Sequence, residues 1–114
     1  MHLLSLIEVM RAVKVNENPS KSLHVRLMSD QRDQFSICFW GVRGSVACPG
    51  PTTVRYGGNT ACIEMNVGGQ QLIFDGGTGL RNLGQKMLSQ MPVNANMFFT
   101  HSHWDHIQGF PFFV

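Results

Sequence analysis

Apolar and polar residues alternate in the middle of the chain, on either side of a glycine pair. The first apolar run is Ala61, Ile63, Met65 and Val67, which alternate with Cys62, Glu64 and Asn66. Alternation with a period of two is typical of a half-buried β-strand. Gly68-Gly69 follows as a two-residue turn and Leu72-Ile73-Phe74 as a second strand, so we predict a β-hairpin. A further strand is predicted at Phe35, Ile37 and Phe39.

The spacing of the apolar residues changes after this hairpin to that of a helix. One predicted helical face consists of Leu80, Leu83, Met87, Leu88 and Met91. Thr78 can cap this helix, and Pro92 ends it. Met97-Phe98-Phe99 is then predicted to form a short, continuously apolar strand. Strand, helix and strand in this order predict a βαβ unit with parallel strands, and open α/β sheets place their ligands beyond the carboxyl ends of such strands.

The residue composition changes near Gln34, which indicates a domain boundary. Residues 1–33 carry nine of the sixteen charged residues and no glycine, whereas all twelve glycines lie between Gly41 and Gly109. Apolar residues recur at helical spacing from Leu3 to Val13, so residues 3–14 are predicted to form a short amphipathic helix. We interpret residues 1–34 as an extension or linker that packs loosely. A remnant of an upstream domain is the alternative.

Composition excludes several classes of protein. The length of 114 residues corresponds to one domain, and only 14% of the residues are charged, which argues against disorder and against a coiled coil. A net charge of +2 is too small to indicate a nucleic-acid partner. No apolar stretch is long enough for a membrane helix, and the N-terminus lacks the features of a signal peptide. Three cysteines without a C-x-x-C pair fit a reducing compartment, so we expect a cytoplasmic protein.

Three of the five histidines fall within six residues, directly after the last predicted strand. The cluster consists of His101, His103, Asp105 and His106. Neutral imidazole and carboxylate are the usual ligands of Zn²⁺ and related ions. Four side chains this close in sequence cannot easily all coordinate the same metal ion. We therefore expect two adjacent ions, with His101 and His103 on one and Asp105 and His106 on the other. The alternative is that one or two of these histidines only cap a helix or satisfy a backbone group.

This H-x-H-x-D-H motif resembles the signature of the metallo-β-lactamase-fold hydrolases, which residues 101–106 match without a departure. Residues 74–80 are similar to the glycine-rich strand-to-helix turn of that superfamily. Residues 39–45 and 55–60 are similar to its branch of cyclic phosphodiesterases and phosphoribosyl cyclic phosphodiesterases. The resemblance covers residues 35–114 and leaves residues 1–34 unexplained.

The resemblance implies an α/β (α+β) fold, the αββα sandwich, of which residues 35–114 are the N-terminal αβ half. It implies two divalent metal ions, most simply Zn²⁺ with Mn²⁺ or Fe²⁺ as alternatives, and a bridging hydroxide that attacks a phosphodiester or cyclic phosphodiester. If the roles of the family motif apply to this sequence, His101 and His103 bind the first ion, and Asp105 and His106 bind the second. Asp105 also orients the nucleophile as the catalytic residue. Asp75 either orients a ligand histidine from behind or caps the turn at residues 76–77.

The sequence departs from this family at its end, since no His, Cys, Asp or Glu follows His106. The family takes its remaining metal ligands from later in the chain, so we expect the N-terminal half of an enzyme. Three hypotheses stay open: a metal-dependent hydrolase that appears here in truncated form, a non-catalytic metal-binding fragment, and an interaction module that a partner chain completes. The hydrolase hypothesis describes the lineage of the sequence. The hypothesis of a metal-binding fragment agrees better with the metal ligands that this polypeptide contains. The expected partners are a small-molecule or nucleotide phosphoester and, through an exposed sheet face, a second copy of the chain.

Overall fold

In a computed structural model, residues 13–15, 23–27 and 35–113 are described. They form one six-stranded sheet in the order β1-β2-β3-β4-β5-β6, together with two helices. The strands are β1 (Val13–Val15), β2 (Leu23–Leu27), β3 (Phe35–Gly41), β4 (Cys62–Val67), β5 (Gln70–Phe74) and β6 (Asn96–Phe98). The helices are α1 (Gly79–Met87) and α2 (Trp104–Ile107), and 3₁₀ turns lie at Leu88–Gln90 and Phe110–Phe112. The architecture is mixed α/β, as the sequence predicts, and is compatible with the α+β class.

The predicted hairpin is confirmed. Strands β4 and β5 pair antiparallel, with Val67 opposite Gln70 across a two-residue turn. Gly68 and Gly69 both have positive φ angles, 55° and 76°, which is the turn conformation that matches the right-handed twist of the flanking strands. The predicted strand at residues 35–39 is also present, and it pairs antiparallel with β4.

The predicted βαβ unit is confirmed as well. Strand β6 runs parallel to β5, and α1 connects the two strands. The helix packs its apolar residues on one face of the sheet. The buried core consists of Cys62, Ile73, Leu80, Leu83 and Met87. This packing fixes the carboxyl ends of β5 and β6 side by side, where the chain continues into the histidine motif.

Helix α1 ends four residues before the predicted position. It stops at Met87 and tightens into the 3₁₀ turn, so Leu88 and Met91 are 53% and 62% exposed instead of lying on the buried face. A 3₁₀ turn has fewer residues per turn than an α-helix, which rotates the following side chains away from the core. Met91 is extended, as expected for the residue before a proline.

The buried face of β4 is opposite to the one that its apolar alternation indicates. Cys62 and Glu64 are fully buried beneath α1, whereas Ile63 and Met65 are only half-buried. Glu64 is buried because it accepts hydrogen bonds from four side chains. The donors are Trp40 at 2.9 Å, Asn66 at 3.1 Å, Gln71 at 2.8 Å and Lys86 at 3.2 Å. A carboxylate that is paired in this way can occupy a core position.

Part of the N-terminal region continues the sheet. Strand β1 pairs antiparallel with β2, and β2 pairs antiparallel with β3. The predicted helix at residues 3–14 is therefore wrong at its end, where Val13 and Lys14 lie in a strand; residues 3–12 lie outside the described part. A run that ends in Val-Lys-Val favours the extended backbone because β-branched residues do. The domain boundary near residue 34 stays a prediction.

The second face of the sheet is apolar and half-open. Phe39, Ile63, Phe74 and Phe98 lie opposite one another across β3 to β6. The Phe74 and Phe98 rings stack with centroids 5.5 Å apart, and Phe98 is 50% exposed. Neither helix in the described part of the chain has the length and apolar character of a membrane-spanning segment.

Candidate metal centre

The histidine motif begins three residues beyond the end of β6 and runs into α2. His101 and His103 lie in the extended segment between the two elements, and Asp105 and His106 lie on the first turn of the helix. His103 is the N-cap residue, with extended backbone, and its carbonyl accepts the His106 N–H at 3.0 Å. The change from extended to helical backbone folds the six residues back on themselves.

This folding brings the three imidazole rings of the motif together. The ring centroids of His101 and His103 are 4.5 Å apart, and those of His101 and His106 are 4.1 Å apart. His101 and His103 are exposed, while His106 is half-buried. The motif therefore gathers three imidazole rings into one part of the surface.

Asp75 lies under the motif, immediately after β5. Its Oδ2 lies 2.8 Å from Nδ1 of His106, and its Oδ1 accepts hydrogen bonds from the N–H of Thr100 at 2.8 Å and from its hydroxyl at 2.9 Å. Burial alone would raise the pKa of Asp75, but the hydrogen bonds from Thr100 and His106 lower it below its ordinary value. Asp75 therefore stays ionised and holds the His106 ring from behind.

The bond to Asp75 fixes which nitrogen of His106 can bind a cation. An ionised carboxylate only accepts hydrogen bonds, so Nδ1 carries a proton and Nε2 of the neutral ring presents its lone pair. That Nε2 lies 3.4 Å from Oδ2 of Asp105. Two lone-pair donors at this distance repel each other unless a positive charge lies between them. Two ligands at about 2.0–2.2 Å from a tetrahedral ion are also roughly 3.4 Å apart, so the pair fits one metal ion.

Asp105 receives a second contact from a distant part of the chain. The backbone N–H of Ser45 donates to its Oδ2 at 2.8 Å, across sixty residues of sequence. This hydrogen bond is the main reason that the pKa of Asp105 is lowered from its ordinary value. Asp105 is therefore ionised at neutral pH, as a metal ligand must be.

The glycine-rich turn at residues 76–79 is the surface on which α2 rests. The N–H of Gly76 donates to the His106 carbonyl at 2.6 Å, and the N–H of Gly109 donates to the Gly76 carbonyl at 2.7 Å. A Cβ on Gly77 would overlap the carbonyl of Asp105 and the hydroxyl of Thr60. These glycines act by allowing close approach of two backbones.

Thr78 differs from its predicted role as a helix cap. It occupies the N-cap position of α1, but its side chain makes no capping hydrogen bond. Its hydroxyl instead accepts the Thr60 N–H at 2.9 Å and donates to Asn59 at 3.1 Å. Gln108, just after α2, donates to the Thr60 hydroxyl at 3.2 Å. Thr60 thus links the start of α1 to the end of the motif.

An apolar cleft of about 310 Å³ opens beside the motif. It is lined by Phe99, Trp104, Ile107, Gln108, Phe110 and Pro111. Trp104 stands between two predicted ligands in sequence and is 71% exposed. The lining is almost entirely apolar, so the cleft offers a hydrophobic surface next to the polar side chains of the motif.

The structure places all five predicted site residues together, His101, His103, Asp105, His106 and Asp75. Sequence reasoning missed Thr100 and Ser45. Thr100 directly precedes the motif, so its position in the sequence could have identified it, whereas nothing in the local sequence connects Ser45 with Asp105.

Within the described part of the chain, no group of three or more His, Cys, Asp or Glu side chains is arranged to hold one ion. The observed donors come in a pair, Asp105 and His106, with two further histidine rings beside it.

Comparison with known proteins gives one partial likeness. The chain is 35% identical over 75 residues to Ribonuclease Z of Haloarcula marismortui, an alignment that covers 66% of this chain and 22% of the relative. The chain thus spans about a fifth of the length of the relative that it matches. No family model and no solved structure matches the chain.

Proposed function

We propose that this chain carries the metal-binding part of a metal-dependent hydrolase of the metallo-β-lactamase superfamily, acting on phosphodiester or cyclic phosphodiester bonds. The motif at residues 101–106 and the partial likeness to a ribonuclease, an enzyme that by name cleaves RNA, both support this chemistry. In this proposal the sheet and α1 form the first half of an αββα sandwich. The cyclic phosphodiesterase branch is the proposed subgroup, and the cytoplasm is the proposed location.

One observation carries the proposal. Nε2 of His106 and Oδ2 of Asp105 face each other at 3.4 Å, while Nδ1 of His106 is already taken by Asp75. The carboxylate behind the histidine fixes the tautomer and the orientation of the ring, an arrangement common at metal centres. The donor pair is thus prepared for a divalent cation.

In this proposal, the side chains of the motif would coordinate two metal ions. Asp105 and His106 would hold one ion, and His101 and His103 would hold a second, with Zn²⁺ as the first candidate and Mn²⁺ or Fe²⁺ as alternatives. Such ions, when bound, acidify water and polarise a phosphoryl oxygen. Asp75 would keep the proton on Nδ1 of His106, and Asp105 would orient the attacking water. The organic part of a small-molecule or nucleotide phosphoester would lie in the cleft beside Trp104.

Isothermal titration with Zn²⁺ tests the metal site directly. The wild-type chain should bind Zn²⁺, and affinity should be weak because water must complete the coordination of each ion. The double variant His101→Ala/His103→Ala should lose the ion that these two side chains hold, so it should bind fewer Zn²⁺ ions per chain and bind them more weakly. Equal affinity of the two proteins would show that the histidine motif is not the site.

Metal binding without turnover is the second candidate, and the small number of donors favours it. Catalytic zinc normally has three protein ligands, and the described residues provide no such group. Hydrolysis of bis(p-nitrophenyl) phosphate separates the two candidates. The isolated chain should not exceed the metal-only background if it only binds metal. Metal-dependent turnover that disappears in Asp105→Ala would instead establish the hydrolase.

A further inference from the structure

Ser45 has an unusual backbone conformation that points at the metal centre. Among the described residues other than glycine, only Ser45 and Asp75 have positive φ angles, 67° and 62°. Aspartate tolerates this region, whereas serine is rarely found there. Both residues place a hydrogen-bonding group on the histidine motif: Asp75 contacts His106, and Ser45 contacts Asp105. Strained backbone positions that are held in place cluster at functional sites.

The loop around Ser45 is built to hold this conformation. The N–H of Val46 donates to the Gly44 carbonyl at 2.9 Å, which closes a three-residue γ-turn around Ser45, a strained turn type. Nε of Arg43 donates to the Val46 carbonyl at 2.9 Å and closes the loop a second time. The N–H of Arg43 donates to the Asn59 carbonyl at 3.0 Å, which ties the base of the loop to the segment before β4.

We propose that Ser45 is a positioning residue for the metal centre: its backbone N–H, held in a left-handed γ-turn, fixes Oδ2 of Asp105 opposite Nε2 of His106. This inference rests on the proposed metal-binding function. The carboxylate of an aspartate can rotate freely about its terminal bond, so one directed N–H at 2.8 Å determines where its oxygens lie. Asp75 fixes the histidine of the donor pair, and Ser45 fixes the carboxylate.

Substitutions at Ser45 separate the backbone contact from the side chain. Ser45→Pro removes the N–H and sets a negative φ, whereas Ser45→Gly keeps the N–H and adopts positive φ without strain. Ser45→Ala keeps the N–H and removes only the hydroxyl. We expect Ser45→Pro to bind Zn²⁺ about 10–100-fold more weakly by isothermal titration and to change the visible spectrum of bound Co²⁺, since residues that support metal ligands have effects of this size. Ser45→Gly and Ser45→Ala should match the wild type in both measurements.

A folded Ser45→Pro chain with wild-type affinity and spectrum would overturn the proposal. So would Ser45→Ala if it weakened binding as much as Ser45→Pro, because the hydroxyl would then be the active group. Circular dichroism and thermal melting establish that each variant is folded.

Amide hydrogen exchange without metal gives an independent test in the full chain. The Ser45 amide should exchange faster in Asp105→Ala than in the wild type, while the Cys48 amide, which donates to the Gly58 carbonyl at 2.9 Å, should not change. Unchanged exchange at Ser45 would overturn the proposal even if Ser45→Pro does not fold. If the wild-type chain bound no metal, the proposed function would fail, and the exchange rates would still decide whether Ser45 holds Asp105.

Discussion

Two buried carboxylates show how the same chemical group serves different purposes at the residue scale. Glu64 lies beneath α1, where Trp40 and Lys86 are among its donors, and Asp75 lies beneath the histidine motif. Burial raises the pKa of each, but hydrogen bonds outweigh it and lower both pKa values below their ordinary ranges. The donors of Glu64 belong to the sheet and helix, whereas one partner of Asp75 is a proposed metal ligand. The first carboxylate should therefore affect stability and the second metal affinity.

Replacing Asp75 by asparagine tests this division. Asparagine tolerates the positive φ of this position but would not act as an anionic acceptor for His106, so we expect Asp75→Asn to weaken Zn²⁺ binding about 10–100-fold while the fold persists. Isothermal titration measures the affinity, and thermal melting reports the fold. Glu64→Gln is the matched control, since it should lower the melting temperature and leave Zn²⁺ affinity unchanged. Equal loss of Zn²⁺ affinity in both variants would contradict the assignment of stability to Glu64 and of metal affinity to Asp75.

Acid stability follows from the lowered pKa of Glu64. A carboxylate whose pKa is lower in the folded state contributes stability above its unfolded pKa, about 4.3 for glutamate, and loses it as the pH falls through the folded pKa. The melting temperature should therefore fall as the pH is lowered below about 4.3. Glu64→Gln should reduce this slope, because the substituted residue does not titrate. Melting curves between pH 7 and pH 3 measure both slopes; parallel curves for the two proteins would show that Glu64 contributes nothing to the pH dependence.

At the scale of elements, local periodicity predicts most of this fold. The hairpin around Gly68-Gly69 and the βαβ unit depend on patterns within about thirty residues, and both are present. The choice of the buried face of β4 depends instead on four donors to Glu64, three of them outside that strand, which no local pattern contains. The same limit separates the contiguous histidine motif, which the sequence shows, from Ser45, which reaches Asp105 only through the fold.

The contact between the glycine-rich turn and α2 can be tested by adding one methyl group. Gly77→Ala would place Cβ against the carbonyl of Asp105 and the hydroxyl of Thr60, so α2 must shift away from the turn. Overpacking of this kind costs about 1–3 kcal/mol, and the shift should also weaken Zn²⁺ binding through Asp105 and His106. Gly50→Ala is the control, because nothing lies within 4 Å of its Cβ position. Chemical denaturation and zinc titration should separate the two variants; wild-type behaviour of Gly77→Ala would show that the turn has room to adjust.

For the molecule as a whole, the two faces of the sheet are unequally covered. Helix α1 buries Cys62 and Ile73 completely on one face. On the other face, Ile63 and Phe74 are half-buried and Phe98 is half-exposed. Removing apolar surface from water is favourable by about 25 cal/mol per Å², and contiguous exposed apolar patches promote association. Burial of the open face is therefore favourable. In a solution that contains only this chain, a second copy of the chain is the available partner.

We accordingly expect the isolated chain to self-associate through this face. A single charged side chain introduced on the face should weaken the association. Phe98→Lys would place an ammonium group on the open face and should shift the chain toward the monomer in size-exclusion chromatography with light scattering at equal protein concentration. Leu88→Lys is the matched control, since Leu88 is 53% exposed but lies in the 3₁₀ turn after α1. It should leave the mass distribution of the wild type unchanged. A monomeric wild type with a sharp, cooperative melt would mean that the sheet tolerates its open face in water, and equal effects of the two lysines would mean that the contact lies elsewhere.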